Sequence, residues 1–247
     1  MLHGKVDFQL IREKFEENNQ KEYASIGEYQ EKSIHNMLKN YFEPDLSSQE
    51  VKIGNFIADI YNEEGIIEIQ TCNFYKLKEK LQFFLSEGYQ VTIAYPIIVN
   101  KMIITIKNED KDASFRKSPS HKTAFSALSE VYTIREFLKF DNLHFHFVYL
   151  DALDVKERVN KKKIFDKDKK SIDKIPLKII KEEDYSSYLD FKKIIEDINY
   201  KFSAKELKKI KKCALKELRI SLSLLKQLNL VKVVEKRGRE YIYEVVK

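Results

Sequence analysis

The stretch from Ile53 to Leu81, IGNFIADIYNEEGIIEIQTCNFYKLKEKL, constrains this chain most, because it parses as strand, tight turn, strand and helix. Phe56 to Tyr61 and Ile66 to Thr71 are β-branched or aromatic runs with polar residues let in, and they bound a turn at Asn62, Glu63, Glu64 and Gly65. With Tyr61 facing Ile66, the register sets Asp59 opposite Glu68 and Ile57 opposite Gln70. Side chains alternate along a strand, so Asp59, Glu68 and Gln70 are expected on one face, with Phe56, Ala58, Ile60, Ile67 and Ile69 on the other. Opposed carboxylates in an antiparallel pair stand roughly 5 Å apart at Cβ and repel. Neither strand carries a Lys or Arg to neutralise them. A shared proton, a divalent cation with hard oxygen ligands, or simple solvation of an exposed hairpin face would each relieve the conflict.

The first 43 residues read as helical: Leu10, Ile11 and Phe15 keep helical spacing, and Ile34, Met37, Leu38 and Tyr41 do so again before Glu43, Pro44 and Asp45 break the pattern. Glu28, Glu31 and His35 share one side of the second helix, and His35 reads as a packing or exposed residue. Gln49 to Ile53 is expected to be the first strand. The helix after the hairpin, from about Phe74 to Leu85, carries Leu77, Leu81 and Phe84 on an apolar face and ends at Gly88. Gln90 to Tyr95 is a short apolar strand closed by Pro96, and Lys101 to Lys107 another. The helical crossover makes the Glu68 strand and the VTIAY strand parallel neighbours. The result is an α/β fold, a mixed sheet of about five strands with helices against it.

This arrangement resembles the metal site of the PD-(D/E)xK nuclease superfamily, the restriction-endonuclease-like fold. In that family an Asp ends one strand, an acidic residue and a Lys alternate on the next, and an earlier helix supplies a Glu. Asp59 matches the first position and Glu68 the second, while Gln70 stands where Lys is usual. Lys76 and Lys80 on the following helix are placed to supply the missing positive charge, and Glu31 matches the helical glutamate. The resemblance implies that Asp59, Glu68 and the backbone carbonyl of Ile69 hold Mg²⁺ or Mn²⁺. It implies a DNA endonuclease, with Gln70 orienting the attacking water. The partner would be duplex or branched DNA, and a homodimer is compatible with it. The Gln70 departure keeps a second reading open, a nuclease-like DNA-binding protein that acts as regulator or scaffold without cleaving.

Charge divides the chain. Lys156 to Lys247 holds 27 Lys or Arg against 15 Asp or Glu, a net of +12, which leaves residues 1–155 at −6. Concentrated positive charge is the signature of phosphate binding, so the basic third is the expected nucleic-acid contact. Three units follow: residues 1–155 as the nuclease-like domain, 156–183 as a lysine-rich linker or exposed hairpin, and 184–247 as a second module. Ser114 to His121, SFRKSPSH, reads as a polar loop whose Arg116 and Lys117 could meet a phosphate or be merely solvated. Thr123 to Phe140 is an amphipathic helix, and in Leu143 to Leu150 the alternating His144 and His146 read as a polar sheet face.

Residues 184–247 resemble a small winged helix-turn-helix domain. Asp190 to Ile198 gives a first helix, Ser203 caps a second at Ala204 to Lys211, and Cys213 to Leu228 gives a third with a buried stripe of Leu215, Leu218, Leu222 and Leu225. Lys212, Lys216, Arg219, Ser223 and Lys226 form a second stripe suited to DNA phosphates. Val231 to Val234 and Tyr241 to Val246 make a hairpin with Lys236, Arg237, Gly238 and Arg239 at its tip, the wing. Apolar runs fall short of the ~18 residues a membrane span needs, no signal segment opens the chain, and Cys72 and Cys213 stand isolated. A cytoplasmic protein with ordinary thiols is expected.

Overall fold

The computed structural model describes residues 33–106, 113–158 and 169–246, with Gln9 and Glu13. Its main sheet has seven strands: β1 (Gln49–Ile53), β2 (Phe56–Asn62), β3 (Gly65–Ile69), β4 (Val91–Ile106), β5 (Ala113–Lys117), β6 (Leu143–Arg158) and β7 (Lys169–Tyr185). The order is β1-β2-β3-β4-β6-β7, with β5 pairing β4. β3, β4 and β6 are mutually parallel and the other pairs antiparallel, a mixed sheet as the sequence suggested.

Period-two alternation buries both faces of the central strands. Val91, Ile93, Tyr95 and Ile97 of β4 and Leu143, Phe145, Phe147 and Tyr149 of β6 pack to one side. Ala94, Val148, Leu150 and Ala152 pack to the other, beneath Ile34, Met37, Leu38 and Phe42 of helix α1 (Ser33–Phe42). The first side is covered by α2 (Lys78–Ser86) and α3 (Ala124–Val131). The sheet is therefore the middle of three layers.

Beyond it lie a short strand β8 (Phe202–Ser203), helices α4 (Ala204–Lys211) and α5 (Leu215–Gln227), and the hairpin β9 (Val231–Arg237) and β10 (Glu240–Val245). These strands form their own sheet in the order β8-β10-β9. Ser203 and Glu206 close a capping box at the start of α4, as the Ser-x-x-Glu spacing implies. Leu207, Leu218, Leu222, Leu224 and Leu225 join the same apolar cluster as α2 and α3. Ser221 Oγ of α5 donates to the Phe125 carbonyl of α3 at 2.7 Å, and Glu217 accepts from Ser126 and pairs with Lys122.

Several local expectations are corrected. Pro96 does not close its strand: β4 runs through it, because Pro96 lies past the last β3 partner, Ala94, where β4 has a neighbour on one side only. The SFRK segment is the edge strand β5 rather than a loop, with Ile103 opposite Arg116 and Met102 opposite Lys117. The Thr123–Phe140 helix breaks into α3 and a 3₁₀ segment at Tyr132–Phe137, with Ile134 outside helical geometry (φ −120°, ψ 20°). In place of a helix at Asp190–Ile198 there is a 3₁₀ segment at Tyr188–Ile194. Of the lysine-rich stretch 156–183, the described part from Lys169 belongs to β7, paired along its length with β6. The helix expected around Leu10 to Phe15 lies almost wholly outside the described residues.

The β2–β3 turn depends on Gly65, whose φ is +105° and where an added Cβ would stand 2.5 Å from the Gln90 carbonyl oxygen. That oxygen accepts from Ile66 N, so backbone cannot yield there without loosening the parallel β3–β4 pairing. Gly65→Ala is expected to destabilise the fold by more than about 1 kcal/mol, read as a lowered urea midpoint.

Candidate functional site

Asp59 and Glu68 come from adjacent strands in the expected register, which the pairs Ile60 with Ile67 and Tyr61 with Ile66 fix. The expected common face for the apolar residues fails. Ala58 packs on the α2 side, whereas Ile60, Ile67 and Ile69 pack under α1. The facing of β2 thus changes at Asp59, and Glu50, on the neighbouring strand, has a φ of +51°. At that irregularity Asp59 reaches the end of β3, where its Oδ2 accepts from the Ile69 backbone N–H at 2.7 Å. The same oxygen lies 3.1 Å from His35 Nε2 of α1.

Glu68 is 2% exposed. Its Oε2 pairs with Lys80 Nζ of α2 at 2.6 Å, while its Oε1 is buried with no hydrogen-bond partner. Burial, and then the Asp59 charge, push the Glu68 carboxyl up to about 7 against the opposing pull of Lys80. Burial also pushes Asp59 upward, but the His35 contact, the Ile69 N–H and the Lys80 charge outweigh it and hold this carboxyl below its ordinary range. Two like groups are thereby driven apart in acidity by their surroundings, an arrangement frequent at functional sites.

The structure brings together Asp59, Glu68, Lys80 and the backbone of Ile69, and leaves other expected members outside. Gln70 turns its amide to the Cys72 carbonyl, a local contact formed where β3 gives way to the bend before Phe74. Lys76 is exposed in the 3₁₀ turn Phe74–Leu77, and Glu31 lies outside the described residues. His35 is the neighbour that sequence reasoning discounted. Its signal was spacing, since it lies one turn before Leu38 and two before Phe42, both buried on the sheet.

Among the described residues no group of three His, Cys, Asp or Glu side chains gathers as a metal cage. The donors present still fit a hard divalent ion. Two carboxylates from adjacent strands, one with an unpartnered buried oxygen, supply hard oxygen ligands, and Mg²⁺ commonly takes only one or two carboxylates and keeps water.

The other expected polar faces also have definite positions. His146 is buried rather than on an open sheet face: its Nδ1 is 2.7 Å from Asp184 and its ring meets Phe42 edge-on, because α1 covers that part of β6. Arg116 and Lys117 are exposed on β5. On α5 Lys216, Arg219 and Lys226 are exposed and Ser223 half-buried, opposite the face that α3 covers. Helix α5 starts only at Leu215, so Lys212 sits in the turn before it, in left-handed geometry with φ +49°. At the β9–β10 tip Lys236, Arg237 and Arg239 are exposed, with the Arg237 guanidinium paired to Glu235 through two contacts of 3.0 Å.

Residues 32–186 match the family described as a domain of unknown function, DUF8091. The chain belongs to this family. The DUF8091 region spans α1, the seven-stranded sheet, α2 and α3, and so contains Asp59, Glu68 and Lys80. The chain is also 32% identical over 134 residues to an uncharacterized protein of Treponema pallidum (strain Nichols), covering 53% of each. It therefore spans about half the length of that relative. No solved structure matches it. No helix among the described residues is long and apolar enough to cross a membrane.

The weakened acidity of Glu68 has a stability consequence. The folded protein keeps the Glu68 proton to about pH 7, whereas an unfolded chain releases it near the ordinary 4.5. Folding then binds a proton in that window, so this group's contribution to stability falls as pH rises through it and stays lost above. Glu68→Gln should flatten that part of the melting-temperature profile relative to wild type.

Proposed function

We propose that this chain is a metal-dependent DNA nuclease of the restriction-endonuclease-like kind, with its C-terminal unit acting as a winged-helix DNA contact. The observation that carries the reading is the unpartnered, buried Oε1 of Glu68 beside Asp59 on an adjacent strand. A buried carboxylate oxygen with no donor is costly and calls for a cation or proton. The order of elements around it supports the same reading: an antiparallel hairpin carrying the acids, then a helix, then a parallel strand.

On this reading Asp59, Glu68 and the Ile69 carbonyl would hold Mg²⁺ or Mn²⁺. Such an ion, when bound, lowers the pKa of a coordinated water and offsets charge on the scissile phosphate. The Ile69 N–H and His35 fix the Asp59 carboxylate in place and keep it ionised. Burial of Glu68 keeps the local dielectric low, which strengthens its hold on a cation. Lys80 brings a positive charge to the site in place of a lysine at position 70.

For the C-terminal unit, the support is the exposed stripe of Lys216, Arg219 and Lys226 on α5 together with the basic tip of β9–β10. The strand order β8-β10-β9 around two helices agrees with a winged helix. The packing of α5 on α3 would carry this unit close against the nuclease-like body, so that duplex DNA is held rather than merely tethered.

A second reading is favoured by Gln70, whose amide is engaged by the Cys72 carbonyl and not by either acid. The protein would then bind DNA as a regulator or scaffold and not cleave it. Incubation with supercoiled, linear, single-stranded and branched DNA in Mg²⁺ or Mn²⁺, beside Asp59→Ala, separates the two. Cleavage lost in the variant and with chelator is the expected outcome; binding without cleavage on every substrate selects the second reading. Independently, Arg219→Glu should weaken duplex binding and reduce the slope of log affinity against log salt by about 1 or more. An unchanged slope would remove α5 from the interface.

A further inference from the structure

On the metal-site reading above, we propose that Lys80 is a displaceable counter-ion: its ammonium holds Glu68 in the metal-free protein, and a divalent cation must evict it before it can meet a substrate phosphate. Lys80 Nζ lies 2.6 Å from Glu68 Oε2, and its charge also acts on Asp59. One ammonium thus serves both carboxylates, the two groups that a divalent ion would use.

The side chain is only 18% exposed, with Nζ 6.0 Å from the Phe84 ring centroid, so it is folded into the site rather than left in water. Helix α2 itself is pinned by buried Leu81, Phe84 and Leu85, but a lysine head on four methylenes swings without moving its helix. An ion bound to both acids would place two more positive charges within a few ångströms of Nζ while supplying the charge that Glu68 takes from lysine. Repulsion and lost attraction act in the same direction, and a flexible, strongly hydrated ammonium yields more easily than a buried carboxylate. Glu68 Oε1, buried and without a donor, is the oxygen with acceptor capacity left for the incoming ion. Loading is therefore ordered: the cation binds first, and Lys80 becomes available to an anion only afterwards.

The test is amine acylation of the intact protein at neutral pH, read at Lys80 by peptide mass spectrometry, with and without Mn²⁺, alongside Mn²⁺ binding followed by its electron paramagnetic resonance signal. Lys80 should be protected in metal-free protein and label several-fold faster with Mn²⁺. Asp59→Asn should abolish the increase by removing the ion. Glu68→Gln should leave Lys80 reactive without any metal, and melting curves establish that both variants are folded. Wild type that binds Mn²⁺ with Lys80 still protected would overturn the counter-ion role and leave the metal site standing. Wild type that binds no Mn²⁺ would overturn the metal-site reading and this role together.

Discussion

Glu68 is the constraint on which the centre of this molecule turns. A carboxyl group in the middle of a sheet, covered on its own face by α2, can be charged only with a cation beside it. Lys80 supplies one, and the helix that carries Lys80 is seated by Leu81, Phe84 and Leu85 against the β4 and β6 side chains. Asp59 is held from the other side, by the Ile69 N–H and by His35 of α1. Both layers flanking the sheet thus converge on one hairpin, and a shift of α2 would leave the buried Glu68 charge unpaired.

Such an arrangement stabilises poorly for the polar surface it buries. Replacing a buried ion pair by apolar side chains is often neutral or favourable, so the Glu68–Lys80 pair adds little to fold stability. The fold elsewhere rests on ordinary means: aliphatic and aromatic strands alternating between two apolar layers, α1 on one side, and α2 and α3 on the other. The C-terminal helices extend the second layer. Leu224 and Leu225 of α5 share its apolar cluster, and the basic stripe is thereby turned outward.

The hairpin was legible because its signals are local. β-branched runs around Asn62 to Gly65 specify two strands and their register, and the crossover through α2 requires parallel pairing with β4. Helix α4 was legible for the same reason, its Ser203 and Glu206 caps lying three residues apart. Readings failed where tertiary context overrides a local rule. Pro96 looks like a strand end but sits where one neighbour is absent, and Arg116 looks like loop until Ile103 stands opposite it.

By itself the sequence determined the β2–β3 hairpin with its register, the helix that follows it and the concentration of positive charge in the last third, because each follows from short-range spacing or from composition. Only the tertiary structure decided that Lys80 rather than Lys76 meets Glu68, that Gln70 turns away, that His35 lies on Asp59 and that His146 is covered by Phe42. Those contacts join residues on different elements, and their distances depend on how α1 and α2 seat against the twisted sheet. No periodicity along the chain carries that information, since a one-turn difference in seating would exchange which lysine reaches the buried acid.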